Sequence, residues 1–218
     1  MTPHPEFPFQ PSSVNDPEGL IKVDVARSLD EIMAALTVRS IIFMGEQSCP
    51  YDEEFDGNDF AGATHLVVRL GGEPAGTLRL RWFAGFAKLE RVAVRREHRG
   101  GQISSALITA GLDLARRKGY RKVMGHAQAH LISFWERFGA RIRADRDRFV
   151  FSDCEYVEME WDFEPAVGSL TLDTDPLILI RPEGRWNEPG VLDRSSARCG
   201  PNKAKAESRV IGKPEAHQ

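Results

Sequence analysis

Three segments of alternating apolar and polar residues, Thr64–Leu70, Pro74–Phe83 and Ala87–Val94, are separated only by Gly71-Gly72 and a short turn around Gly85. Connections this short cannot carry a chain across between parallel strands, so the three segments are expected to form an antiparallel meander. Directly after Val94 the pattern changes. Arg95–Gly101 is charged and contains glycine, and then Ile103, Leu107, Ala110 and Leu114 recur at helical spacing up to Lys118-Gly119. A basic last turn followed by glycine is a helix stop. The strand Leu89–Val94 thus feeds a glycine-containing loop that opens directly into a helix.

The flanks extend the same architecture. Ile21, Val23 and Val25 alternate with polar residues as in a half-buried strand. Ser28 and Glu31 have the spacing of a capping box, and Leu29, Ile32, Met33, Leu36 and Phe43 give a helix to about Met44. Glu46–Asp59 is a loop rich in carboxylates. Downstream, Val123–Ala127 reads as a strand, and Leu131, Phe134, Trp135 and Phe138 as a short helix closed by Gly139. Arg141–Arg143, Phe149–Phe151 and Tyr156–Trp161 read as final strands. The fold class is α/β (α+β), with hairpins at both ends.

Residues 1–19 are proline-rich and aperiodic and are expected to form a flexible arm, with one domain over 20–165. Residues 166–192 form a weakly patterned extension that packs on the domain, covers its site or joins two copies in a homodimer. Residues 193–218, polar and low in aromatics, are expected to be a disordered tail.

Composition removes several functions. The net charge is −3, and no Lys/Arg stripe is interleaved with aromatics, which argues against a nucleic-acid partner. No apolar run approaches the length of a bilayer span, so no membrane partner is expected. The first residues carry neither a basic stretch nor an apolar one of the kind a secretory leader needs. Cys49, Cys154 and Cys199 are widely spaced and odd in number, which fits a reducing cytoplasm better than a disulfide framework or a zinc site. His65 and His130 have no second histidine at metal-ligand spacing, so no metal is expected.

The chemistry concentrates in residues 89–118. A helix N terminus offers free backbone N–H groups and the positive end of a dipole, which together suit phosphate. Gly100-Gly101 removes side chains that would hold a diphosphate away, and Arg95, Arg96 and Arg99 add cationic partners. On the strand, period-two alternation puts Glu90, Val92 and Val94 on one face. If Val92 and Val94 present backbone groups at an opened edge, an amide-bearing arm can pair there like an added strand. An ordinary strand–turn–helix with a solvated basic loop has the same spacing.

Leu89-Glu90-Arg91-Val92-Ala93-Val94, followed by Arg99-Gly100-Gly101-Gln102-Ile103-Ser104, resembles the coenzyme A signature of the GNAT N-acyltransferase superfamily. Ser133-Phe134-Trp135-Glu136-Arg137-Phe138-Gly139-Ala140 is similar to that superfamily's Phe-Tyr-x-x-x-Gly-Phe segment. Val38-Arg39 through Phe43, Glu46-Gln47, Asp56, Asp59, His65-Leu66 and Ala127-Gln128-Ala129 resemble its ElaA-like branch. The resemblance spans about Ile21 to Phe163. It implies a mixed, mostly antiparallel central sheet with helices on both faces and a splayed strand pair that holds acyl-CoA. It departs from the pattern at Gln102, where glycine is expected, at Ser104, and at Trp135, which replaces a tyrosine that often protonates the leaving thiolate. An indole N–H donates hydrogen bonds but does not give up a proton near neutral pH.

The resemblance implies an N-acetyltransferase that takes acetyl-CoA as co-substrate and an amine or amino-terminal group as acceptor. Val92, Ala93, Val94, Arg99, Gly100, Gly101, Gln102, Ile103 and Ser104 are then the binding residues, with Phe134 and Trp135 beside the pantetheine arm. A lysine-type amine has a pKa near ~10.4 and must lose a proton before it attacks a thioester. Glu90 is the candidate base, a structural strand carboxylate being the alternative. The Val92 N–H is the candidate oxyanion donor. Tyr156 or His126 could stand in as the acid. The acidic loop Glu46–Asp59 could attract a cationic acceptor, although a solvated surface loop with turn-forming aspartates is the plainer expectation. A longer acyl-CoA or acyl carrier protein as donor, and a CoA-binding sensor without turnover, fit the same residues.

Overall fold

A computed structural model of the chain describes residues 21–151 and 153–196. The expected arm over 1–19 and the expected tail beyond Ser196 lie outside the described residues. Two compact units divide at Thr171/Leu172.

The first unit begins with β1 (Lys22–Val25) and α1 (Leu29–Arg39). The capping box at the start of α1 is formed as the spacing predicts. Ser28 Oγ accepts from the Glu31 N–H at 3.3 Å, and Glu31 Oε2 accepts from the Ser28 N–H at 2.9 Å. At its end α1 widens into a π-helical turn, Ser40–Glu46, which carries Ile42 onto Val38 and Ala93. The loop that follows contains a one-turn helix that the sequence pattern did not reveal, α2 (Tyr51–Glu54).

Next come β2 (Ala63–Leu70), β3 (Glu73–Trp82), β4 (Ala87–Val94), α3 (Ile103–Arg117) and β5 (Lys122–Gln128). A short helix α4 (Ile132–Glu136) precedes β6 (Arg141–Ile142), β7 (Phe149–Phe151) and β8 (Cys154–Asp162). The sheet order is β1-β2-β3-β4-β5-β8-β6, with β7 on β8. Among the described residues every pairing is antiparallel except β4 with β5. The meander and its two tight turns therefore form as expected, and the one parallel junction falls where α3 makes the crossover.

Helices cover both faces of the first half of the sheet. Ala34 and Ala35 of α1 pack on Val67. On the other face α3 lies close because small residues meet it. A Cβ on Gly111 would stand 3.2 Å from Leu78 and 3.6 Å from Leu89, and one on Gly76 would stand only 2.7 Å from Ile103 Cγ2. Val123, Ala127, Val157, Met159 and Trp161 are buried in the second half of the sheet. Trp135 of α4 meets Trp161 edge to face at 5.8 Å. Backbone bonds from Ala166 to Arg116 and from Leu170 to Arg117 tie residues past 165 to the end of α3.

The second unit holds α5 (Pro176–Leu179) and α6 (Val191–Ser196). Asp175 caps α5 through the Leu177 N–H at 2.7 Å, and Arg181 forks onto Asp193 at 2.7 and 3.1 Å. Residues 193–196, assigned to a disordered tail on composition, thus complete α6.

Candidate active site

β4 and β5 pair at Ala87 with Val123 and at Lys88 with Met124, and the pairing goes no further. Beyond that point Leu89–Val94 and Gly125–Gln128 diverge. Gly125 stands at the fork, where a Cβ would come within 3.1 Å of the Leu89 carbonyl oxygen. Two strands that part inside a sheet leave backbone N–H and C=O groups facing the gap, and such groups need partners.

A bulge in β4 sharpens the opening. Thr77 pairs with Ala93 and Arg79 with Glu90, so two steps along β3 match three along β4. Arg91 takes a φ of +54°, a left-handed conformation that an arginine adopts at a cost. The extra residue reverses the alternation. Leu89 points toward α3 while Ala93 packs with Val38 and Ile42 on the opposite face. The expectation that Glu90, Val92 and Val94 share one face is therefore corrected, because strict period two would keep Leu89 and Ala93 together.

A cavity of about 910 Å³ occupies the opening, lined by Glu90, Arg91 and Val92 from β4 and by Gly125–Gln128 from β5. Asp52, Glu54 and Asp56 form one wall, and Phe149, Phe151 and Tyr156 form another. Trp135 closes the inner side together with Trp161. Phe134, expected here, does not line the cavity. It packs on Trp135 and Phe138 at 5.2 Å each, beneath the Arg137 guanidinium. Ala93 and Ile103, both 3 % exposed, have side chains in the core, so only their backbone atoms can face a ligand.

The acidic loop is solvated only in part, with Asp52 and Asp56 exposed. Glu54 is fully buried and Asp59 nearly so, both held by the buried Arg39. Buried Arg79 donates to Glu90 at 2.9 Å, to Asp56 at 2.9 and 2.6 Å and to Asp59 at 2.8 Å. Arg91 reaches Glu54 at 3.2 Å, and Lys88 Nζ lies 2.9 Å from Glu90 Oε2. The solvated-loop expectation thus holds for Asp52 and Asp56 and is corrected for Glu54 and Asp59, which are drawn inward because they neutralise arginines on α1 and β3.

The pKa directions follow from this packing. Burial raises Asp56, Asp59 and Glu90, but the neighbouring cations outweigh it and hold all three below the ordinary carboxylate range. For Glu54 burial wins over Arg39 and Arg91, and its carboxyl is pushed up. His65 is buried with Nε2 at 3.2 Å from the Asp59 carbonyl, and burial lowers it. Burial, with Lys88, also lowers His126.

The basic loop lies beyond the cavity. Arg95–Gly101 includes a 3-10 turn at Arg96–His98, and Gly100 adopts φ +78° with open space where a Cβ would stand. Arg99 donates to the Val94 carbonyl at 3.0 Å and to Glu46 at 2.7 Å, while Arg96 and Arg99 remain 75 % and 43 % exposed. The N-cap residue Gln102 makes no side-chain capping bond, so the amides of Ile103 and Ser104 sit at a positively polarised helix end. Gln102, Ile103 and Ser104 thus stand at the helix start that the sequence predicted for them.

His126 and Tyr156, named from the sequence only as possible acids, both line the cavity, whereas Lys88 beside Glu90 and the Phe149/Phe151 part of the wall were not singled out. Their signal was the alternation of β5, β7 and β8, which shows a shared face only once strand pairing is known. Cys49 and Cys154 line the cavity, neither in a disulfide among the described residues, and Cys199 lies outside them. Among the described residues no cluster of three metal-ligating side chains occurs, and no helix is long and apolar enough to cross a membrane.

A splayed parallel strand pair, a bulge at its mouth and a helix N terminus behind a basic glycine loop are the parts of an acyl-thioester transferase. The chain belongs to the acetyltransferase (GNAT) family, whose sequence model matches residues 30–140. It is 28 % identical over 142 residues to the Bacillus subtilis (strain 168) protein named uncharacterized N-acetyltransferase YjcF, covering 65 % of this chain and all of that one. The crystal structure of an acyl-CoA N-acyltransferase from Pseudomonas aeruginosa superposes with a TM-score of 0.59 at 28 % identity, over 64 % of this chain and 98 % of that one. Escherichia coli ElaA shares the fold, with a TM-score of 0.59 at 23 % identity over 65 % and 99 % of the two chains.

Proposed function

We propose that this N-acyltransferase moves an acetyl group from acetyl-CoA to a primary amine by direct attack. The observation that carries the reading is the opening between β4 and β5, which stops the pairing at Lys88/Met124 and leaves strand backbone facing a cavity of about 910 Å³. An acyl-pantetheine arm carries amides that can pair with Val92 and Val94. A diphosphate fits the α3 start at Gln102, Ile103 and Ser104, with Gly100 and Gly101 giving clearance and Arg99 supplying charge. The Val92 N–H is the donor we assign to the developing oxyanion. The gain is mainly proximity of amine and thioester, with no covalent enzyme intermediate. Cysteines as few and as widely spaced as Cys49 and Cys154 suit a reducing compartment, and we place the reaction in the cytoplasm.

Trp135 lines the cavity where the family pattern has a phenol, so the departing thiolate takes its proton from elsewhere. A longer acyl donor is the second reading. It is favoured by the apolar lining that Leu131, Phe149 and Met159 give to so large a cavity.

One pair of measurements tests both readings: thermal shift with acetyl-CoA, longer acyl-CoAs and free CoA, and thiol release with a panel of amines. Stabilisation by acetyl-CoA with amine-dependent thiol release is the expected result. Faster release from longer chains favours the second reading, and the absence of any CoA-dependent shift removes both.

A further inference from the structure

His126 stands on β5 just past the last residue of that strand paired with β4, and its ring lines the cavity. Glu158 is its cross-strand partner on β8, with Oε1 3.9 Å from Nε2. Phe149 of β7 meets the ring edge to face at 5.0 Å. From β4, Lys88 and Glu90 act on the ring across the opening. The side chain keeps 33 % of its surface exposed, so the ring reaches both cavity and solvent.

Glu90, the base expected from the sequence, is placed differently. Both of its oxygens are engaged, Oε1 by Arg79 and Oε2 by Lys88, and only 12 % of its side chain is exposed. A carboxylate held between two cations is stabilised in its charged form and accepts a proton less readily. An imidazole also starts closer in pKa to an amine near ~10.4 than a carboxylate does.

We propose that His126, rather than Glu90, takes the proton from the acceptor amine. The assignment rests on the amine N-acetyl transfer proposed above. The ammonium loses one proton to the neutral imidazole, and the freed lone pair forms the C–N bond at the thioester carbonyl. The C–S bond then breaks with its electron pair on sulfur, and a second N–H proton passes to the thiolate. The imidazolium returns its proton to water along its exposed edge. Burial and Lys88 favour the neutral ring needed at the outset, while Glu158 and Glu90 favour the imidazolium that follows. Glu90 then acts as a positioning residue that holds Lys88 beside the cavity and is itself anchored by buried Arg79.

The test is the pH dependence of kcat/KM for thiol release, with acetyl-CoA and a panel comprising tyramine, spermidine and an amino-terminal alanine peptide. We expect His126→Gln to lower kcat/KM by about 100-fold at pH 7 and to abolish the acidic inflection, with the acetyl-CoA thermal shift retained. Glu90→Gln keeps the inflection. His126→Asn serves as a second variant, and partial recovery of His126→Ala by added imidazole distinguishes proton transfer from packing. A His126→Gln profile that keeps its inflection, at a rate within about threefold of the parent, overturns the assignment. Loss of the inflection in Glu90→Gln alone overturns it equally. If the parent shows neither an acetyl-CoA shift nor thiol release with any amine, the transfer reading itself fails and the assignment falls with it.

Discussion

Arg79 and Asp59 face each other at 2.8 Å in the core, and Arg39 holds the same Asp59 carboxylate from α1. Asp59 is thus the pivot between a helix and a strand, although it belongs to a loop.

Removing Arg79 leaves Asp56, Asp59 and Glu90 without their shared cation, in surroundings where unpaired charge is costly. Arg79→Met is expected to destabilise the fold by about 3–5 kcal/mol. Urea unfolding measures this directly. A change below ~1 kcal/mol would show that the network is no more than a surface cluster.

The same carboxylates set the acid stability. Asp56, Asp59 and Glu90 have folded pKa values held below their unfolded ones. Their contribution is complete above the unfolded value near ~4 and is lost as pH falls through the lowered folded values. Glu54 has the opposite sign: its folded pKa is raised, so its contribution is present at low pH and is lost as pH rises through that value. Urea midpoints are therefore expected to decline steeply below about pH 4, as three groups outweigh one. Asp59→Asn should flatten the decline and lower the pH 7 midpoint. An unchanged slope in Asp59→Asn would remove Asp59 from the network's titration.

Gly76 governs how closely α3 approaches the sheet. Gly76→Ala sets a methyl 2.7 Å from Ile103 Cγ2 and 3.1 Å from Leu107, both in a filled core. The first turn of α3 must shift, at about 1–3 kcal/mol. That turn carries the amides assigned to the diphosphate, so the CoA thermal shift should fall as well. Stability lost with the CoA shift intact would separate core packing from the binding site.

Much of this arrangement was legible because its cause is local. The capping box at Ser28 and Glu31, the Gly71-Gly72 turn and the Lys118-Gly119 stop each involve neighbours in the chain, and each falls where spacing puts it. The site was legible only as far as the loop and strand that form it. The bulge at Arg91 was hidden, because it depends on register with β3 and no residue type announces it. The inward turn of Glu54 and Asp59 was hidden because Arg39 and Arg79 lie 15 to 23 positions from their partners in the acidic loop. His126 was visible only as a possible acid without partners, since Glu158 and Phe149 join it through strand pairing.

The last prediction concerns the loop before α3. Arg99 is partly exposed and is shared between the Val94 carbonyl and Glu46. Its proposed role on a diphosphate is electrostatic, so it should weaken with salt. Arg99→Ala is expected to weaken CoA binding by about tenfold, the equivalent of one charge-assisted contact, and to reduce the salt dependence. Gly100→Ala tests the same loop through its backbone, since φ +78° costs a residue with a Cβ about 1–2 kcal/mol. Calorimetric titration with CoA and with dephospho-CoA, at two ionic strengths, separates the effects. Equal losses for both ligands place Arg99 on the diphosphate. A loss confined to CoA places it on the 3′-phosphate. Unchanged binding of both would leave Arg99 as no more than the partner of Glu46.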